Sequence, residues 1–149
     1  MKIYETLQNE FVISTDKSKL NVGAIHNYLC NESYWAKNIP VETVIRSIGG
    51  SCCFGLYVNE NSITKQIGFA RVVTDYATFA YLADVFVEEK ERGKGYSRVL
   101  MEYIFDYPSL RDIKWLLATR DMHRLYEKFG FAVIANPDRF MGKNGWRSF

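Results

Sequence analysis

Apolar residues change their spacing along this chain in a definite order, and each spacing predicts an element. Phe11-Val12-Ile13 is a β-branched and aromatic run between polar residues, which predicts a strand, and Ser14-Thr15-Asp16 behind it supplies turn and capping groups. Between Asn21 and Asn31 the apolar positions become Val22, Ile25, Tyr28 and Leu29, three and four apart behind a residue suited to an N-cap, so an amphipathic helix is expected. Pro40 opens a second helical pattern, with Val41, Val44, Ile45 and Ile48 as its stripe and Gly49-Gly50 as its stop. The link over 32–39 carries Tyr34 and Trp35.

The period then shortens. Strands are expected over 52–58, 66–73 and 79–87, broken at Asn59-Glu60-Asn61 and Thr74-Asp75-Tyr76, which makes an antiparallel meander. The third strand is apolar on both faces, with Phe79, Tyr81, Ala83, Val85 and Val87 on one and Ala80, Leu82 and Phe86 on the other, so it belongs in the centre of a sheet. Residues 98–107 return to a helical stripe of Leu100, Tyr103, Ile104 and Tyr107, stopped by Pro108. A buried-type strand over 114–119, a short helix over 122–129 closed by Gly130 and a strand over 131–134 complete the pattern. This order predicts an α+β sandwich, a mixed and mostly antiparallel sheet flanked by helices, in a single domain over 1–149.

Composition narrows the picture. A chain of 149 residues with 48% hydrophobic and 24% charged residues can bury a core without disulfides or a structural metal. A net charge of +2 gives no general attraction for nucleic acid, so such a partner would need a local basic patch. The start, Met1-Lys2-Ile3-Tyr4-Glu5-Thr6, lacks the apolar stretch of a signal peptide, and no apolar run approaches the roughly 18 to 20 residues that span a bilayer. The expected location is the cytoplasm, with no membrane partner. Cys52 and Cys53 are neighbours on a strand and point to opposite faces, so with Cys30 they form an odd set suited to core packing in a reduced compartment. Two histidines, His26 and His123, without a ligand-pair spacing give very little support for a metal site.

The chemistry concentrates where Val85-Phe86-Val87 runs through Glu88-Glu89-Lys90-Glu91 into Arg92-Gly93-Lys94-Gly95-Tyr96-Ser97. Two glycines one residue apart let the backbone bend so that its amides face one concavity, and a helix beginning near Ser97 adds unsatisfied amides and a positive dipole end. That is an anion cradle. A P-loop would need Gly-x-x-x-x-Gly-Lys-[Ser/Thr], which is missing, and a dinucleotide fingerprint would need a third glycine where Arg98 stands.

Arg92-Gly93-Lys94-Gly95 after this strand resembles the acetyl-CoA-binding motif of the GCN5-related N-acetyltransferases, and Leu125-Tyr126-Glu127-Lys128-Phe129-Gly130-Phe131 resembles a second segment of that family. The resemblance implies acetyl-CoA as cosubstrate and direct transfer of its acetyl group to a primary amine. It implies that amides from Arg92 to Ser97 hold the pyrophosphate, with Gly93, Lys94, Gly95 and Tyr96 between them. The backbone of Val85, Phe86 and Val87 would meet the pantetheine arm, Thr119 and His123 would face the cofactor, and Tyr126 would protonate the departing thiolate. A phenol and an alkyl thiol, with ordinary pKa values of about 10 and 8.5, suit that exchange. Lys90, Arg92, Lys94 and Arg98 place cations beside the ligand, partly offset by Glu88, Glu89 and Glu91.

The chain departs from the family pattern at Ser97, where Gly or Ala is usual, at Thr119, where many members carry Asn, and at Met122, where Ala is usual. Asp84 is the charged residue inside the apolar strand over 79–87, and it is either a structural partner of Arg71 or the group that relays a proton from the acceptor ammonium. Tyr34, Trp35 and Tyr76 are the expected acceptor wall, since aromatic faces with nearby carboxylates suit a cationic amine. Phe140, Met141 and Trp146 in the tail suit a cover for the cleft, a cap on the core or a homodimer contact. A small-molecule amine is the expected acceptor. A non-catalytic acyl-CoA-binding module, and an enzyme acting on a protein or aminoacyl-tRNA amine, are the alternatives.

Overall fold

A computed structural model describes residues 5–8 and 11–146. Its framework is one six-stranded sheet with strands in sequence order: β1 (Glu5–Gln8), β2 (Phe11–Ser14), β3 (Cys52–Glu60), β4 (Ile63–Thr74), β5 (Phe79–Val87) and β6 (Lys114–Leu117). The first five strands are antiparallel to their neighbours and β6 runs parallel to β5. The mixed α+β architecture and the meander are therefore as the hydrophobic pattern predicts. β1 is an addition, a four-residue strand without the β-branched run that marks the others.

The helices α1 (Val22–Asn31) and α2 (Val41–Gly49) cover one face. Asn21 caps α1 by accepting from the Ala24 amide at 3.0 Å, and its own amide donates to Gln66 Oε1 on β4 at 2.8 Å, so one residue both starts the helix and ties it to the sheet. Ile25, Leu29, Val44 and Ile48 pack with Cys53, Phe69 and Phe86 in one core cluster. Each such buried aliphatic side chain contributes about 1.5–3 kcal/mol. The predicted stripe of α2 is only half buried: Val44 and Ile48 face the sheet, whereas Val41 and Ile45 are exposed.

The opposite face belongs to α3 (Tyr96–Phe105), where Phe54 of β3 meets the rings of Tyr103 and Tyr107 edge-on at 6.0 and 5.2 Å. Cys53 and Phe54 are consecutive, so their burial on opposite sides shows why β3 reads as an unbroken apolar run: both of its faces are core. Helix α3 starts two residues before the predicted boundary and buries Met101 along with Leu100 and Ile104.

The chain divides into two compact units, Met1–Ala118 and Thr119–Phe149. The second contains α4 (His123–Glu127) and a 3-10 turn at Pro137–Arg139. The predicted strand over 131–134 does not form; Val133 and Ile134 are exposed in irregular backbone. The predicted strand over 114–119 ends at Leu117 and is half-buried rather than buried. Phe140, Met141 and Trp146 are exposed, which removes the core-cap role for the tail. No helix among the described residues is long and apolar enough to cross a membrane.

Candidate active site

Two irregularities in β5 open the sheet. Phe69 pairs with Phe86 and Arg71 with Ala83, so Ala70 faces two residues, Asp84 and Val85, across a bulge. Asp84 takes φ 53°, a left-handed conformation that short polar side chains tolerate better than most. The second irregularity is on the other edge, where pairing with β6 ends at Leu82 and Leu117. Beyond that point the β6 side of β5 carries backbone groups without a ladder partner. Glu88 donates to Ile67 O at 2.8 Å, so by ladder alternation the amide and carbonyl of Val87 turn away from β4, toward that open edge.

The glycine turn follows directly. Glu89–Glu91 is a 3-10 turn, and Gly93 and Gly95 sit at φ 78° and 89°. A Cβ on either glycine would meet nothing within 4 Å, so the space in front of them is open. Gly95 is the N-cap of α3, and the first α3 amide to reach a helical carbonyl is that of Val99, bonded to Gly95 O at 3.2 Å. The amides of Tyr96, Ser97 and Arg98 therefore project from the helix start beside the open glycines. Thus the turn fits an anionic group held by main chain.

The side-chain cations are largely committed elsewhere. Arg92 Nε donates to Val87 O at 3.1 Å and its Nη2 to Tyr28 Oη at 2.9 Å. Lys94 Nζ pairs with the buried Glu91 at 3.0 Å, which raises the lysine pKa, and Arg98 lies 3.7 Å from Glu102. Lys65 pairs with Glu88 at 3.3 Å. Of the four expected cations, Arg92, Lys94 and Arg98 are engaged locally and Lys90 lies on the wall of a neighbouring cleft, so the amides remain as the principal anion-binding groups of the turn.

An aromatic and acidic cluster lies on the α1–α2 side of β5. Asp84 Oδ2 accepts from Arg71 Nε at 2.8 Å and Oδ1 accepts from Trp35 Nε1 at 2.8 Å, while Arg71 Nη1 donates to Ser51 Oγ at 3.1 Å. The Asp84 side chain is 11% exposed, so the ion pair is nearly dry. Tyr81 has its phenol pKa raised, first by burial and then by the nearby Asp84 charge. Trp35 stands edge-on to Tyr34 at 5.1 Å and 6.4 Å from Tyr28, which stacks on Phe86 at 4.0 Å. The 32–39 link that carries these rings is anchored by Ser33 Oγ donating to Leu29 O at 2.7 Å and His26 Nε2 donating to Ile39 O at 2.9 Å. Beside the cluster, Tyr28, Glu32, Glu88, Glu89 and Lys90 line a cleft of about 470 Å³.

The structure thus brings together Tyr34, Trp35 and Asp84, and places Val85, Phe86 and Val87 at the head of the Arg92-to-Ser97 turn. Tyr76 is elsewhere: its phenol bonds to Cys52, whose side chain points to the face opposite Cys53, and it does not join Trp35 in one wall. In the second unit, Thr119 Oγ1 accepts at 3.0 Å from the amide of Met122, the residue that precedes α4, and His123 is exposed on the first turn of that helix. Tyr126 is 8% exposed, with its ring 5.9 Å from that of Phe131. Sequence reasoning assigned Tyr28 only to the apolar stripe of α1. A phenol on a core-facing stripe was its one available signal, and a weak one.

A model described as an acetyltransferase (GNAT) domain matches residues 49–133. A protein of Gibberella zeae assigned as an acetyltransferase is 30% identical, covering 91% of this chain and 86% of its own. A crystal structure from Xanthomonas campestris pv. campestris, assigned to the GNAT acetyltransferases, is 43% identical, with TM-score 0.85 over 92% of this chain and 94% of its own. An acetyltransferase from Clostridium acetobutylicum, solved with acetyl-CoA, shares the fold at 17% identity, with TM-score 0.65 over 90% of this chain and 94% of its own.

Proposed function

The chain belongs to the GNAT family of acetyl-CoA-dependent N-acetyltransferases, and from that premise we propose that it acetylates a primary amine of a small molecule by direct transfer. The observation that carries the reading is the left-handed Gly93 and Gly95 at the head of α3, directly behind a strand whose outer edge is open. When bound, acetyl-CoA supplies the activated carbonyl and a thiolate leaving group. In this reading the amides from Gly93 to Ser97 hold its pyrophosphate, and the open backbone of Val85 with the amide of Val87, whose carbonyl accepts from Arg92, holds its pantetheine amides. Tyr126 gives a proton to the departing sulfur; its place in the Leu125-to-Phe131 segment supports that role.

Both oxygens of Asp84 already accept hydrogen bonds, from Arg71 and from Trp35. That supports a positioning role for Asp84 and leaves the acceptor's proton to water. A cleft of about 470 Å³ lies in the size range of small-molecule sites, and its Glu32 and Glu89 carboxylates beside Tyr28 suit a cationic amine; Glu88 is paired to Lys65, and Lys90 stands on the same wall.

Calorimetric titration with CoA, followed by thiol release from acetyl-CoA against polyamines, arylalkylamines, amino acids and aminoglycosides, tests the whole reading. Tyr126→Phe is expected to bind CoA as the parent does and to turn over about 100-fold more slowly with the acceptor identified. Unchanged turnover would remove Tyr126 from the mechanism, and failure of the parent to bind CoA would remove the mechanism itself.

A further inference from the structure

Gly93 and Gly95 contribute no side chain to hold the turn, so its shape depends on the residues between and beside them. One flank is Glu91, buried at 7% exposure and paired with Lys94. The other is Arg92, whose side chain doubles back to the strand it has just left. Its Nε reaches the Val87 carbonyl that β4 does not use, and its Nη2 reaches Tyr28 on α1. Tyr28 is itself fixed, because its ring lies nearly parallel to Phe86, at 10° and 4.0 Å, and Phe86 is part of the core. Burial raises the Tyr28 pKa, so the phenol is a neutral acceptor that orients the guanidinium without cancelling its charge.

We propose that Tyr28 is a positioning residue for the cofactor turn: it holds Arg92 as a brace across the root of the turn, so that Arg92 shapes the amide cradle and does not itself pair with a phosphate. The proposal rests on the turn's being the CoA pyrophosphate site. A planar guanidinium with two of its edges fixed by directional hydrogen bonds makes a stiff strut, which a lysine cannot copy. Bracing the loop before the ligand arrives lowers the ordering cost of binding.

The test is CoA affinity by calorimetry at two salt concentrations for the parent, Tyr28→Phe and Arg92→Lys. Tyr28→Phe keeps the ring on Phe86 and is expected to leave the thermal midpoint of the free protein nearly unchanged. It should still weaken CoA binding about tenfold, because a turn no longer braced must be ordered at the expense of binding. Arg92→Lys, with its charge intact, should weaken binding to a similar degree, and both variants should keep the parent's dependence of affinity on salt. If Arg92 instead leaves Tyr28 to meet a phosphate, Tyr28→Phe will bind CoA as tightly as the parent or more tightly, and Arg92→Lys will retain affinity. Either result overturns the brace. A parent protein that binds no CoA would instead strike the acetyl-CoA reading of the turn.

Discussion

Asp84 carries two functions in one residue. Its left-handed backbone bends β5 away from regular pairing, and its carboxylate fastens Trp35 and Arg71 at 2.8 Å each. Asn tolerates the same backbone and can still accept from Trp35, so Asp84→Asn removes the charge together with the acceptor for Arg71 Nε while sparing the Trp35 bond. As a positioning residue it should lower kcat less than tenfold and leave the shape of the kcat profile against pH intact. A general base would cost at least about 100-fold and remove one limb of that profile. Cys53 offers a different measurement. Burial pushes its thiol up to about 12, above the ordinary value of 9.0. The protonated form is thus favoured by folding: stability is full below the unfolded thiol's pKa and falls as pH rises from about 9 toward 12. Urea midpoints at pH 8 and 10.5 should show that fall, and Cys53→Ala should reduce it. The buried Cys52 thiol and Tyr57 phenol, both raised by burial, supply part of the remainder. An equal slope in the variant would exclude Cys53 as a source.

The elements differ in how plainly the chain announces them. Helix α1 and the meander are legible because cap, period and turn residues agree: Asn21 caps where expected, and Asn61 and Ser62 take the positive φ values that the β3–β4 turn needs. The bulge at Asp84 was not legible, since nothing in an alternating apolar run marks which pair will be offset. The 131–134 segment has strand composition but no ladder to join, and the outer half of the α2 stripe has no partner to bury it. Arg92 was legible as a cation but not as a brace, because its partner Tyr28 lies 64 positions away in sequence. At Gly95 the requirement is sharp. It caps α3 at φ 89° in open space, so Gly95→Ala costs about 1–2 kcal/mol in backbone conformation without a clash. In the proposed site its Cβ would also enter the space assigned to the pyrophosphate. Thermal melting should show a modest loss, while calorimetry should show a CoA affinity reduced well beyond it. Parent-like affinity would move the pyrophosphate away from this turn.

At the scale of the whole chain, the division at Ala118 separates the glycine turn and the Asp84 cluster from Tyr126. The Thr119–Phe149 unit falls below the roughly 40 residues at which a fold usually needs disulfides, a metal or association to stand alone. Among its described residues Tyr126 is the buried one, and its secondary structure is a five-residue helix and a 3-10 turn, too short to be stable unaided. We therefore propose that the second unit is not stable by itself and that the chain unfolds as one domain. Pulse-labelling hydrogen exchange across a urea series reads both parts at once. The protection of peptides over 119–146, including the Phe131 amide bonded to Tyr126 O, should be lost at the same midpoint as that of β3 and β4. An earlier midpoint for 119–146 would show a separate unit, and would predict that mild urea stops acetyl transfer while CoA binding at the glycine turn persists.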